Sequence, residues 1–159
     1  MTQVKFFILK DLSSTKDRWL YACKLIEQLY NQNRKIITLL SNTQEAIEFD
    51  NLLWTFSDIS FIPHQLYSSE LNPNTPIIIN YEIFSKLTTT HHNFKNYLLI
   101  NLTDTTSLST TNINSITEII TNDELVKAAG RQRYQAYQAL GNPLESFNVL
   151  KTNSLREQS

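Results

Sequence analysis

Glycine is almost absent from this chain. The 159 residues include two, Gly130 and Gly141, both near the end. Phosphate loops of the Walker and dinucleotide kinds need glycines so that backbone amides can close on phosphate oxygens. The first strand-like stretch is followed by Lys10-Asp11-Leu12-Ser13-Ser14-Thr15 and the second by Ser41-Asn42-Thr43-Gln44. Neither is a glycine cradle, which argues strongly against those forms of nucleotide chemistry. The single cysteine, Cys23, excludes an intramolecular disulfide framework and fits a reducing compartment. No apolar run approaches the roughly 18 residues of a membrane span. The N-terminus lacks the basic, apolar and small-residue regions of a secretory leader, so a soluble cytoplasmic protein is expected. Positive charge is not in excess either: 14 basic residues face 15 acidic ones, for a net charge of -1. That balance argues against a dedicated nucleic-acid binder but leaves room for a local patch.

Catalytic and metal-binding groups are equally sparse. His91-His92 is the only close pair of potential metal ligands, and adjacent positions lack the spaced pattern of a zinc site. His64 has no nucleophile or orienting group assigned to it by sequence. Asp11, Asp50, Asp58 and Asp104 are scattered beside turns and helices, where solvation and capping explain them. No metal, cofactor or catalytic residue is expected.

What the chain does have is apolar content, 41% overall with 11% aromatic, enough for one domain with a real core. Val4–Leu9 reads as a strand. A helix then starts near Ser14 and Asp17, turns Trp19, Ala22, Cys23 and Ile26 to one side, and ends at Asn31–Asn33. Ile36–Leu40 is a buried strand by length and β-branching. Asn42 and Glu45 open a second helix carrying Ala46, Phe49, Leu53 and Trp54. Ile59–Ile62, Ile77–Ile79 and Tyr97–Leu102 read as further strands, with Pro63 limiting the first of them. This alternation predicts an α/β fold, a parallel sheet buried between helices. Residues 1–147 form the expected domain and 148–159 an expected loose tail.

The last helix carries most of the functional signal. Ser115–Thr121 leads into it. Thr121 and Glu124 have capping-box spacing, and Gly141 and Pro143 follow as stop signals. Helical periodicity puts Leu125, Ala129, Gln132, Ala136 and Leu140 on one mostly apolar stripe. Lys127, Arg131, Tyr134 and Gln138 share another face. Two cations beside a ring make either a solvated face or a surface that recognises an anion such as a carboxylate.

Three stretches then carry a resemblance: Phe6-Phe7-Ile8-Leu9, Phe49-Asp50-Asn51-Leu52-Leu53-Trp54, and Ser60-Phe61-Ile62-Pro63-His64. A fourth, Leu125 to Tyr137 with its Arg131-Gln132-Arg133-Tyr134 centre, is the most specific. In this order and spacing, over Val4 to Phe147, the chain resembles the chi subunit of bacterial DNA polymerase III, a clamp-loader-associated accessory protein. The resemblance implies a three-layer, nucleotide-binding-like sheet flanked by helices, without a phosphate-binding loop. It implies two partners, the small psi subunit and the acidic C-terminal tail of single-stranded-DNA-binding protein, and allows a helicase-like repair partner. DNA association would be mainly indirect. By motif match, Trp54, Lys127, Arg131 and Tyr134 would hold the tail, with Arg131 on its terminal carboxylate. Phe61, Ile62 and Pro63 would face psi, although hydrophobicity alone reads Phe61 as core. Where the family can carry a lysine after the aromatic residue, this chain has Gln135, which puts tail affinity in question. Arg133 is the other nearby cation, but helical geometry points it elsewhere.

Two other classes compete with this adaptor reading. A small α/β enzyme or nucleotide-responsive domain suffers from the missing glycines. A direct binder of single-stranded nucleic acid lacks interleaved basic and aromatic strands.

Overall fold

The computed structural model describes residues 2–58, 61–67, 74–81, 94–106, 108 and 113–149. Seven strands form one sheet in the order β3-β4-β2-β5-β6-β1-β7. They are β1 (Gln3–Leu9), β2 (Ile36–Leu39), β3 (His64–Leu66), β4 (Ile77–Asn80), β5 (Leu98–Asn101), β6 (Ser115–Thr121) and β7 (Leu144–Val149). All six described pairings are parallel. The described helices are α1 (Thr15–Asn31), α2 (Thr43–Thr55) and α3 (Glu124–Ala139).

Strand periodicity divides the core between two faces. Phe7, Leu9, Ile36, Ile77, Ile79 and Ile119 pack with Trp19, Ile26, Phe49 and Leu53 of α1 and α2. The alternate residues Val4, Phe6, Ile37, Ile78 and Leu99 lie on the other face with Tyr137 of α3. Helices therefore flank a buried parallel sheet, as the alternating pattern implies.

Local chemistry explains most element ends. The Ser14 hydroxyl accepts from the Asp17 amide at 3.0 Å, and the Asn42 side chain accepts from the Glu45 amide at 2.9 Å. Both helices thus begin where the sequence places their caps. Asn33 takes a positive φ of 63° just past α1, a conformation asparagine tolerates better than most residues.

Several boundaries differ from expectation. Thr121 closes β6, and Asp123 is the α3 cap, its carboxylate accepting from the Val126 amide at 3.0 Å. The buried face of α3 is also turned by part of a turn from the proposed apolar stripe, with Ala129 common to both. Leu125 and Leu140 are exposed, while Ala129, Gly130, Arg133 and Tyr137 are buried. β3 begins after Pro63 rather than before it, and 59 and 60 of the expected strand lie outside the described residues. β7 runs through Asn148 and Val149, paired with Ile8 and Leu9, so ordered structure passes the expected boundary at 147. The rest of that expected tail, 150–159, and His91-His92 also lie outside the described residues.

Candidate functional site

α3 is held to the sheet by a buried polar cluster that periodicity does not reveal. Arg133 is 0% exposed. Its Nε and Nη2 donate to the two Glu118 carboxylate oxygens at 2.9 Å each, and Nη1 donates to the Thr105 carbonyl at 2.6 Å. The Tyr137 hydroxyl donates to Glu118 at 2.6 Å, and Asn101 Nδ2 adds a contact at 3.1 Å. Asn101 in turn accepts from the Thr103 hydroxyl at 2.7 Å. Burial, with Glu118 adding to it, pushes the Tyr137 hydroxyl far above the ordinary tyrosine range, so it stays a donor. Nearby, the Arg18 guanidinium is lowered to about 10 by burial, opposed by Glu118. A bidentate Arg–carboxylate pair backed by further hydrogen bonds is the form in which buried charge is tolerated.

With Arg133 and Tyr137 turned inward, the next face of α3 is left to line a groove. Lys127, Gly130, Arg131 and Tyr134 form its helical wall, and Phe6, Ile8, Ile120 and Ser146 complete it from β1, β6 and β7. Its volume is about 220 Å³. The Tyr134 ring lies 5.3 Å from that of Phe6. Gly130 lets helix and strand close: a Cβ there would lie 2.7 Å from Ile120 Cδ1. Arg131 is exposed and makes no ion pair among the described residues, whereas Lys127 Nζ lies 3.0 Å from Glu124 Oε1. An apolar floor beneath two cations and a ring suits a ligand that is apolar at one end and carries a carboxylate.

Trp54 does not reach this groove. It lies on α2, which packs beside β3 and β4 on the opposite face of the sheet. Its ring stands 4.0 Å from that of His64 and is 47% exposed. The His64 side chain is fully covered, with Nδ1 2.7 Å from the Ile62 carbonyl oxygen and Nε2 3.2 Å from Asp50 Oδ1. Phe61 is 81% exposed, contrary to a core reading from hydrophobicity. Pro63 is exposed too, but Ile62 is 2% exposed in the core and cannot meet a partner directly. The structure thus places Trp54 apart from the α3 groove and leaves Phe61 exposed.

Sequence reasoning missed Phe6, Ile8, Ile120 and Ser146 as groove residues. The alternation of Phe6 and Ile8 along β1 puts them on one face, but only the sheet order shows that α3 covers that face. Among the described residues, no group of three His, Cys, Asp or Glu side chains could hold a metal ion, and no helix is long and apolar enough to cross a membrane.

The family model described as DNA polymerase III chi subunit, HolC, matches residues 1–145. This chain belongs to the chi subunit family. The DNA polymerase III subunit chi of Pseudomonas aeruginosa is 26% identical over 149 residues, covering 94% of this chain and 98% of the relative. Its counterpart from Haemophilus influenzae is 26% identical over 128 residues, covering 80% and 85%. Membership in the chi family supports an accessory rather than a catalytic role.

Proposed function

We propose that this chain is a non-catalytic adaptor of the replicative DNA polymerase III holoenzyme. One surface would join it through psi to the clamp loader, and the α3 groove would hold the acidic C-terminal tail of single-stranded-DNA-binding protein. The observation that carries the tail reading is the convergence of Lys127, Arg131 and Tyr134 over one apolar-floored groove. A terminal carboxylate meets Arg131, and the apolar end of the peptide lies against Tyr134, Phe6 and Ile120. The test is a titration of labelled acidic peptides ending in an apolar aromatic residue, as free acid and as carboxyl amide. Saturable binding of the acid and clear weakening on amidation are expected. Equal affinity of the two forms would contradict the assignment.

The depth of the groove gives a second check. In G130A the added methyl meets the flexible end of Ile120, which has open groove on its other side. Displacing that end by one methyl-sized step should weaken peptide binding by about 0.8 kcal/mol, or roughly fourfold. Melting should stay near that of the parent, because removing a helical glycine contributes up to about 1 kcal/mol in the opposite direction.

Phe61 and Pro63, now with Trp54 rather than Ile62, are assigned to the psi-facing surface. Exposed aromatic side chains bury much area with little loss of rotamer freedom on association. A helicase-like partner, which the resemblance allows, would compete for the same surface. F61D should lose co-purification with psi while keeping its circular-dichroism spectrum, since an exposed substitution changes stability by no more than about 0.5 kcal/mol. An intact complex with F61D would remove Phe61 from the interface.

A further inference from the structure

The two cations of the α3 groove are not equivalent in the free protein. Arg131 makes no ion pair among the described residues. Lys127 is engaged: its Nζ lies 3.0 Å from Glu124 Oε1 and donates to Asn122 Oδ1 at 3.4 Å. Glu124 is the first residue of α3, directly after the Asp123 cap, and its side chain is 83% exposed. Its backbone tether, one turn from Lys127, gives it a persistent advantage over any carboxylate arriving from solution. The positive end of the helix dipole also favours a carboxylate at this position, whether or not a ligand is present.

We infer that Glu124 is a specificity-determining residue of the groove, acting by competing with ligand carboxylates for Lys127. The inference rests on the carboxylate-binding reading of that groove. A terminal carboxylate docks on Arg131 without displacing an ion pair among the described residues. A further acid along the peptide gains Lys127 only by exchanging with Glu124, and one carboxylate then replaces another with little net Coulomb gain. Glu124 therefore damps the groove's response to general negative charge and leaves recognition weighted toward the peptide terminus. A chain that must find one C-terminal tail among many acidic surfaces gains selectivity from such an arrangement.

The experiment uses the full chain at low ionic strength and two labelled peptides with the same free aromatic C-terminus. One has an aspartate-rich body and the other has asparagine at those positions. E124Q should bind the aspartate peptide roughly threefold more tightly than the parent, the scale of one exposed ion pair. It should leave the asparagine peptide essentially unchanged. In a K127A background the E124Q gain should disappear, because no ammonium remains to be released. Unchanged binding by E124Q would overturn the inference, as would an equal gain for both peptides. A gain that persists with K127A would assign Glu124 to simple repulsion and also overturn it. If the parent binds neither peptide, the groove reading and this inference fall together. Parent binding with no E124Q response removes only the Glu124 assignment.

Discussion

Replacing Glu118 with alanine should destabilise the fold by about 3–5 kcal/mol, the range for removing one partner of a buried ion pair. The loss is large because Arg133 has no route to solvent at 0% exposure and would keep only its bond to the Thr105 carbonyl at 2.6 Å. Tyr137 would lose its acceptor as well, leaving a second buried polar group unpaired. A domain of this kind has about 5–15 kcal/mol of total stability, so E118A should be marginally folded. Urea unfolding followed by circular dichroism measures the change, with the denaturant slope checking that the transition stays two-state. Replacing Glu118 and Arg133 together with leucine should recover much of the loss, since the charge and its counter-charge then leave together. A loss under about 1 kcal/mol in E118A would mean that water reaches Arg133 and that α3 is held by apolar contacts alone. On the proposed reading of the groove the cluster would also matter for binding, because it sets how α3 sits on the sheet and hence how Lys127, Arg131 and Tyr134 present to the groove.

R131A should weaken binding of the single-stranded-DNA-binding protein tail by about 2 kcal/mol, or roughly thirtyfold. Arginine can meet a terminal carboxylate with two parallel N–H donors, a geometry that alanine abolishes and that lysine reproduces only as a point charge. Arg131 makes no ion pair among the described residues, so binding need not first break one. K127A should cost less, because Lys127 is already held at 3.0 Å by Glu124. Its effect should also shrink faster as salt rises, since exposed charges are screened within about 10 Å at 0.1 M. Fluorescence titrations of parent, R131A and K127A at two ionic strengths separate these contributions. If R131A and carboxyl amidation each leave affinity unchanged, the carboxylate clamp is wrong even though the chain belongs to the chi family.

The sequence by itself determined whatever depends on neighbours along the chain. Ser14 with Asp17 and Asn42 with Glu45 mark two helix starts because a cap joins residues three apart. β1 and β2 are legible from apolar, β-branched runs. The shared face of Lys127, Arg131 and Tyr134 follows from 3.6 residues per turn, and the structure brings all three to one groove. The four matching stretches carried the family resemblance, which the family model then matched over residues 1–145.

The tertiary structure decided whatever depends on partners distant in sequence. Nothing local in the sequence pairs Arg133 with Glu118, which lies on another element; that buried pair turns the inward face of α3 away from the expected stripe. The last strand is obscure because Glu145 and Asn148 break its apolar pattern, and its identity comes from pairing with β1 at the other end of the chain. Trp54 matched a family motif, but whether it shares a groove with Arg131 depends on sheet order and helix face. Those put α2 and α3 on opposite sides. Periodicity can place residues on one face of a helix. Which face is buried, and what lies across from the other, is set by long-range pairing.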